Sequence, residues 1–238
     1  MSKLRFANPV FVALDTPDIA KALAIAERVG PYVGGLKIGL EFYTACGPDG
    51  VRRIAELGVP LFADVKFHDI PNTVAAASRE LARLGAKIFN IHASGGERMM
   101  RDAAEAARAV DPQVKIIGVT VLTSLDDDVL ESVGQEGPAE AQVLRLAKLA
   151  QTSGLDGVVC SAHEIVALRK ALGLDFLLVT PGIRPAGAAL NDQRRVMTPA
   201  EACKAGADIL VVGRPITAAA DPAQAAKAIA AELAETTV

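Results

Sequence analysis

Aromatic residues make up only 4% of the 238-residue sequence, and the formal net charge is -3. A chain with so few rings and no excess of positive charge lacks the basic, stacking surface that binds nucleic acids and the cationic surface that binds anionic membranes. We therefore expect neither nucleic acid nor a membrane as the main partner. A small-molecule ligand is the better expectation.

Cysteine is also scarce, and Cys46, Cys160 and Cys203 are far apart and odd in number. Without CxxC spacing they indicate neither a disulfide framework nor a zinc site. The sequence also lacks an apolar run of roughly 18 residues and a small-residue cleavage site near its start. These absences predict a cytoplasmic protein with no export signal and no membrane span.

What the sequence does contain is an alternation of short β-rich apolar runs with longer segments of helical periodicity, which is typical of βαβ units and a parallel sheet. The runs that we interpret as strands are 10–15, 35–39, 61–66, 87–92, 115–122, 157–162, 176–182 and 209–213. Helices are predicted over 17–29, 47–57, 72–84, 96–109, 138–152, 163–171, 198–205 and 222–234.

Eight strand-helix units without a linker or low-complexity segment predict one closed (β/α)8 TIM barrel, a single domain over 1–238. A doubly wound sheet is the alternative, but "ALDTPD" follows the first strand where that fold has a glycine-rich GxGxxG fingerprint. In a barrel, the chemistry is expected at the carboxyl ends of the strands.

Charged residues gather at the predicted ends of the first three strands. Asp64 and Lys66 are two positions apart in strand 3, so both project to the same side, and Asp69 follows in the loop. Lys37 ends strand 2 and Asp15 ends strand 1. Their convergence from adjacent strands favours a functional cluster at the barrel mouth.

Each of these residues also has a purely structural interpretation. Asp64 and Lys66 could form an ion pair that closes the top of the barrel. Asp15 or Thr16 could cap the first helix, and Lys37 could extend along the rim with its ammonium group in water.

A second group follows strands 7 and 8, whose loops usually bind phosphate in this fold through backbone N–H groups, a glycine and a cation. Gly213 and Arg214 in "VVGRPI" match that pattern. An arginine there could instead pair with a neighbouring acid, but the Gly-Arg-Pro turn favours an anion site. Thr123 and Ser124 after strand 5 could bond a heterocycle edge or cap a helix.

The segment 183–198 is long for a βα connection and carries the polar residues Arg184, Gln193, Arg194 and Arg195. We interpret it as a lid that closes on a phosphate, with a disordered surface loop as the alternative. The histidines at 68, 92 and 163 form no cluster at metal-ligand spacing, so no metal site is predicted, and His92 is interpreted as a hydrogen-bonding residue of the mouth.

Together these motifs resemble the bacterial type of the orotidine 5'-phosphate decarboxylase family. "GLKIG", "DVKFHDIPNT", "VLTS", "PGIRP", "DQRR" and "VVGRPI" occur in this order, and the similarity runs from "VALD" to "GRPI". The DxKxxD pattern alone also occurs in related barrels that act on sugar phosphates. The longer "DVKFHDIPNT", joined to "PGIRP" and "DQRR", is highly specific.

The resemblance implies decarboxylation of orotidine 5'-monophosphate (OMP) to UMP in pyrimidine biosynthesis, by a homodimer with no cofactor and no metal. Lys66 would protonate C6 of the pyrimidine, and Asp64, Lys37 and the partner subunit's Asp69 would complete an alternating charge array. Substrate-binding roles are implied for Asp15, Lys37, Ile70, Thr73, Thr123, Ser124, Pro181, Arg184, Gln193, Gly213 and Arg214.

Within that set, the resemblance assigns the ribose hydroxyls to Asp15 and Lys37 with help from the partner subunit's Thr73, and the pyrimidine amide to Thr123 and Ser124. It assigns phosphate binding to Arg184, Gln193, Gly213 and Arg214. Two alternatives stay open. One is a metal-dependent phosphosugar enzyme, such as a keto-hexulose-phosphate synthase or decarboxylase or an epimerase, and the other is a nucleotide-binding barrel without turnover.

Overall fold

The computed structural model describes residues 8–135, 137–185 and 197–235. Its strands form a closed parallel barrel in which each strand pairs with its neighbours in sequence and the last pairs with the first. The strands are β1 (Val10–Ala13), β2 (Gly35–Ile38), β3 (Leu61–Phe67), β4 (Ile88–His92), β5 (Lys115–Val119), β6 (Gly157–Val159), β7 (Leu177–Thr180) and β8 (Ile209–Val212). The predicted (β/α)8 barrel is confirmed.

Helices surround this barrel, and short 3-10 segments lie at Gly30–Tyr32, Ala93–Gly95 and Ala162–Glu164. Within the described ranges, none of the helices is long and apolar enough to cross a membrane. The α-helices are α1 (Ile19–Val29), α2 (Leu40–Ala55), α3 (Pro71–Arg83), α4 (Gly96–Arg108), α5 (Asp127–Ser132), α6 (Ala139–Thr152), α7 (Ile165–Leu172), α8 (Pro199–Ala205), α9 (Arg214–Thr217) and α10 (Pro222–Glu235).

Several element boundaries differ from the sequence prediction, and two short helices are additional to it. Helix α2 begins at Leu40 rather than at 47, because the Gly47-Pro48 pair that reads as a helix start is a kink within it, with Gly47 at φ 59° and ψ -164°. Strand β5 ends at Val119 rather than at 122. The short helices α5 and α9 were not predicted, since one or two turns give too little periodicity to detect.

Buried side chains form two layers that determine which residues reach the barrel mouth. Phe62 belongs to the small cluster inside the barrel, whereas Leu61, Ala63 and Val65 belong to the larger layer that includes the helices. Strand β3 therefore alternates between inside and outside. The inside positions further along β3 are occupied by charged residues rather than apolar ones.

Candidate active site

A cavity of about 500 Å³ opens at the carboxyl ends of the strands. One side of it is lined by charged residues at the carboxyl ends of the first three strands, and the other by residues that follow β7 and β8. Valines at the last or next-to-last position of four strands also line it. The lining includes Asp15, Lys37, Asp64, Lys66, Val119, Thr123, Val159, Val179, Pro181, Arg184, Val211, Gly213 and Arg214.

Four charged side chains form an alternating row along one wall of this cavity. The Nζ atom of Lys37 is 3.2 Å from Asp15 Oδ1 and 3.1 Å from Asp64 Oδ2. The Nζ atom of Lys66 is 2.5 Å from Asp64 Oδ1. The predicted convergence of charges from β1, β2 and β3 is present within a single chain, and Asp64 lies between two ammonium groups.

The neighbouring charges fix the ionisation of the two central members of the row. Burial alone would lower the pKa of Lys37, but Asp64 and Asp15 raise it above its ordinary value. Burial alone would raise the pKa of Asp64, but Lys37 and Lys66, with a hydrogen bond from Asn90, hold it below its ordinary value. Lys37 and Asp64 are therefore both charged at neutral pH.

The purely structural interpretations of Asp15, Thr16 and Lys37 are wrong. The N-cap of α1 is Asp18, whose carboxylate accepts hydrogen bonds from backbone N–H groups two and three positions further on. Lys37 is only 7% exposed, so its ammonium group does not extend into water. Asp15 and Lys37 contact each other instead.

Asn90 in β4 is a member of the site that the sequence prediction missed. Its side chain is completely buried. Its Nδ2 donates to Asp64 Oδ1 at 2.7 Å, and its Oδ1 accepts from the backbone N–H of Lys66 at 2.8 Å. The signal that could have revealed it is an asparagine at an inward-facing position of the otherwise apolar run "IFNIH".

The opposite side of the cavity carries two guanidinium groups. Arg184 is only 7% exposed; its Nη1 donates to the carbonyl of Ile183 at 3.0 Å, while its Nε has no hydrogen-bond partner among the described residues. Burial and the charge of Arg214 lower the pKa of Arg184. Arg184 and Arg214 repel each other, and an anion bound between them and Gly213 would reduce that repulsion.

The predicted lid is only partly within the described residues. Gln193, Arg194 and Arg195 lie outside them, so their predicted roles stay predictions. The two ends of the segment meet, because Ile183 pairs with Met197 in a parallel bridge and the backbone N–H of Arg184 donates to the carbonyl of Met197 at 3.1 Å.

Three predicted site residues lie outside the cavity of a single chain. Asp69, Ile70 and Thr73 are exposed in the β3–α3 connection and the first turn of α3. The Asp69 carboxylate accepts from the backbone N–H of Ile70 at 2.6 Å, and Ile70 is 68% exposed. A contribution from these residues to the row would have to be made to another copy of the chain.

The two hydroxyl residues after β5 are separated by the structure. Thr123 lines the cavity, whereas Ser124 is exposed in the turn where the backbone N–H of Leu125 donates to the carbonyl of Leu122. Neither caps α5, since its N-cap is Asp126. The capping alternative is therefore wrong for both residues.

Two of the three histidines meet at the mouth. The rings of His68 and His92 stack with their centroids 5.3 Å apart and an angle of 27° between the planes. Burial, the charge of His68 and the charge of Lys66 lower the pKa of His92. In the part of the chain that the structure describes, no group of three or more His, Cys, Asp or Glu side chains could hold a metal ion.

Fold and site together define the class: a (β/α)8 barrel whose ligand site lies at the carboxyl ends of its strands, with a charged row on one side and two arginines on the other. The family model "Orotidine 5'-phosphate decarboxylase / HUMPS family" matches residues 8–229 of the chain. The chain belongs to this family, and the resemblance inferred from its motifs is confirmed.

Individual relatives agree with this assignment over nearly their full length. The orotidine 5'-phosphate decarboxylase of Moorella thermoacetica is 54% identical over 98% of this chain and 95% of its own. That of Paramagnetospirillum magneticum is 56% identical over 95% of this chain and 98% of its own. The crystal structure of the Lactobacillus acidophilus enzyme superimposes with a TM-score of 0.86 at 40% identity, covering 95% of this chain and 99% of that one.

Proposed function

We propose that this protein removes CO2 from orotidine 5'-monophosphate and releases UMP, as in pyrimidine biosynthesis. The observation that carries the proposal is the row of Asp15, Lys37, Asp64 and Lys66, held at distances of 2.5 to 3.2 Å in the cavity wall. It presents a fixed ammonium group, backed by carboxylates, to a ligand whose phosphate is bound on the opposite side.

The chemistry explains why such a group is needed. When the bond between C6 and the carboxylate breaks, CO2 leaves and the electron pair stays on C6 in an orbital orthogonal to the ring π system. The ring cannot delocalise that charge, so the site must stabilise it electrostatically. The ammonium of Lys66 favours the charge at C6 and then gives it a proton, which the lysine regains from solvent.

The carboxylate of Asp64 has two effects in this proposal. It holds Lys66 and Lys37 in place as cations, and it repels the carboxylate of the bound substrate. The repulsion disappears when neutral CO2 departs. We regard it as secondary to the stabilisation of the carbanion by Lys66, while Asp15 and Lys37 also bind the ribose hydroxyls.

Phosphate binding supplies the remaining free energy. Enzymes accelerate reactions by up to roughly 10¹⁷-fold, more than one lysine can provide, so binding energy at the phosphate must contribute to catalysis at the distant ring. Arg184, Gly213 and Arg214 would hold the phosphate, with Pro181 beside them. Gln193, from the predicted lid, would join when the site closes.

The finer features of the proposal concern the pyrimidine and the partner subunit. Thr123 and Ser124 would bond the pyrimidine amide, which requires Ser124 to turn inward when the ligand binds. The exposed Asp69, Ile70 and Thr73 would act in the site of the partner subunit of a homodimer. We also propose a cytoplasmic location, which the three free cysteines support.

The decisive assay is the loss of orotidylate ultraviolet absorbance, with UMP identified as the product, by the purified protein in excess EDTA. We expect turnover at an unchanged rate when EDTA is added. A metal-dependent phosphosugar enzyme would instead be inhibited by the chelator. Absence of UMP formation in both conditions would refute the proposal.

A further inference from the structure

The pairing of β3 with β4 contains a bulge, in which β3 has more residues than β4. Ala63 pairs with Phe89, but the next pair in the ladder is Phe67 with Ile91. Three residues of β3 therefore lie opposite Asn90 alone. Such a bulge interrupts the ladder of backbone hydrogen bonds and redirects the side chains of the longer strand.

Lys66 lies within this bulge and adopts an unusual backbone conformation. Its φ angle is 51°, the left-handed region that residues with a Cβ rarely occupy. Strained conformations of this kind persist only where the surroundings hold them. The backbone N–H of Lys66 donates to the side-chain Oδ1 of Asn90 at 2.8 Å, so a side chain of β4 takes the place of a ladder partner.

The other end of the same amide contacts the carboxylate of the row. Asn90 Nδ2 donates to Asp64 Oδ1 at 2.7 Å, and this oxygen also contacts Lys66 Nζ at 2.5 Å. One buried, planar group thus bonds the backbone of Lys66 and the side chain of Asp64. Asparagine suits this position because its short side chain carries both an acceptor and a donor. An aspartate has the acceptor but not the donor, and a leucine has neither.

We propose that Asn90 is a positioning residue for the decarboxylation: it holds the β3 bulge so that the Lys66 side chain enters the mouth beside Asp64. Asn90 does not line the cavity, so it acts through these two residues and not on the substrate. The inference rests on the proposed function for its kinetic consequence. Its structural consequence can be tested separately.

The test compares Asn90→Leu and Asn90→Asp with the wild type in OMP decarboxylation. Asn90→Leu removes both hydrogen bonds, and a misplaced Lys66 should lower kcat by about 10²-fold. The KM should change by less than about tenfold, because Arg184, Gly213 and Arg214 lie on the other side of the cavity and are unchanged.

The pH profile separates positioning from a general loss of stability. Asn90→Asp keeps an acceptor for the Lys66 N–H but puts a second acid beside Asp64, which disfavours the ionised form of the pair. We expect the acid limb of kcat/KM to move to higher pH by about one unit or more. An unchanged acid limb together with an unchanged kcat would overturn the proposal.

Asp208→Asn is the matched control. Asp208 is also buried and also bridges two strands, since it accepts from the backbone N–H of Leu178 at 2.8 Å and pairs with Arg169, but it lies at the amino end of β8. The substitution should lower Tm while leaving kcat and the pH profile unchanged. If the Asn90 variants behave in the same way as this control, Asn90 is only a structural residue.

A crystal structure of Asn90→Leu tests the role of Asn90 without any activity assay, and so independently of the proposed function. We expect Lys66 to leave the left-handed region and its contact with Asp64 to be lost. Retention of both features would overturn the inference even if the wild type were inactive on OMP, which by itself would refute only the proposed function. If Asn90→Leu does not fold, the contact between Asp64 and Lys66 is examined in the isosteric Asn90→Asp, where repulsion should displace the Asp64 carboxylate; an unmoved carboxylate would overturn the inference.

Discussion

Lys66 lies in the cavity wall, where its side chain is only partly in contact with water. Its side chain is 29% exposed and that of Asp64 is 17% exposed, and the two are joined at 2.5 Å. An ion pair in such surroundings is weakened less by solvent than a surface pair. The same carboxylate that keeps the lysine in place therefore makes it an effective electrostatic group for a developing anion.

Lys66→Ala should abolish turnover while leaving nucleotide binding. Loss of an electrostatic stabiliser and of a proton donor together should lower kcat by more than about 10⁴-fold. The residues proposed to bind the phosphate lie on the other side of the cavity, so the Kd for UMP should change by less than about tenfold. Steady-state kinetics and calorimetric titration with UMP measure the two effects.

Lys115→Ala is the control for that experiment. Lys115 is similarly exposed, at 23%, and is paired with Asp156 at 3.1 Å, but it begins β5 at the opposite end of the barrel. It should retain the activity of the wild type. A Lys66→Ala enzyme with most of its activity intact would contradict the role assigned to this lysine.

The stacked histidines predict a dependence of stability on pH. The folded-state pKa of His92 is below its unfolded value of about 6.5, so the unfolded chain binds the proton more tightly and the free energy of unfolding falls as the pH drops below that value. In His92→Gln this loss is absent. The difference in stability between wild type and variant should therefore shrink from pH 7.5 to about pH 5.

Urea unfolding at both pH values measures that difference. A constant offset between His92→Gln and the wild type over this range would show that protonation of His92 is not coupled to folding.

Among the elements, strand β3 illustrates how far the sequence alone can be interpreted. The spacing predicted that Asp64 and Lys66 face the same cavity, and both line it, although Lys66 does so from within a bulge rather than by regular strand alternation. The bulge and the role of Asn90 depend on how β3 aligns with β4, which no local pattern reveals. The helical segment that begins at Leu40 was missed because Gly47-Pro48 has the pattern of a helix start, and Gly47 is indeed the non-helical residue of a kink.

The same limit applies to the loops that supply the remaining site residues. Arg184, Gly213 and Arg214 were predicted from their place after β7 and β8, because barrel topology brings those loops together. The exposure of Ser124 was not predicted, because its direction is determined by the turn in which it lies. Asp69 and Thr73 were assigned by resemblance, and a single chain gives them no contact with the row.

If the loops after β7 and β8 bind the phosphate as proposed, their arginines should matter only for a phosphorylated substrate. Arg214→Ala should lower kcat/KM for OMP by roughly tenfold to a hundredfold, as expected for a lost charge-assisted hydrogen bond, and should affect both binding and turnover. The kcat/KM of Arg214→Lys should lie between those of Arg214→Ala and the wild type, because a lysine keeps the charge but not the forked geometry of the guanidinium group.

Orotidine, which lacks the phosphate, is the control substrate for these variants. Its slow decarboxylation should be the same in the wild type and in Arg214→Ala, since neither enzyme has a phosphate to bind. An equal loss of activity toward both substrates would show that Arg214 acts on something other than the phosphate.

For the whole molecule, the proposed homodimer, in which Asp69 acts in the site of the partner subunit, predicts active sites shared between two subunits. Asp69→Ala and Lys66→Ala homodimers should both be inactive. A mixed dimer, however, contains one site with Lys66 from one chain and Asp69 from the other, so random exchange of equal amounts should restore about a quarter of the sites. The fraction of restored sites is measured as the activity regained after mixing, and mass spectrometry verifies that subunits have exchanged.

Asp64→Ala mixed with Lys66→Ala is the matched control, because these two residues act within the same chain and a mixed dimer has no intact site. This pair should remain inactive. If the pair with Asp69→Ala also stays inactive despite demonstrated exchange, the active site is not shared.

The barrel closes only when β8 pairs with β1, from Val10 opposite Leu210 to Val12 opposite Val212. Synthesis reaches β1 before β2 to β7 and reaches β8 only after them. Arg214 follows β8 and lines the cavity. A nascent chain that ends before β8 therefore lacks both the pairing that closes the barrel and one of the two arginines of the cavity.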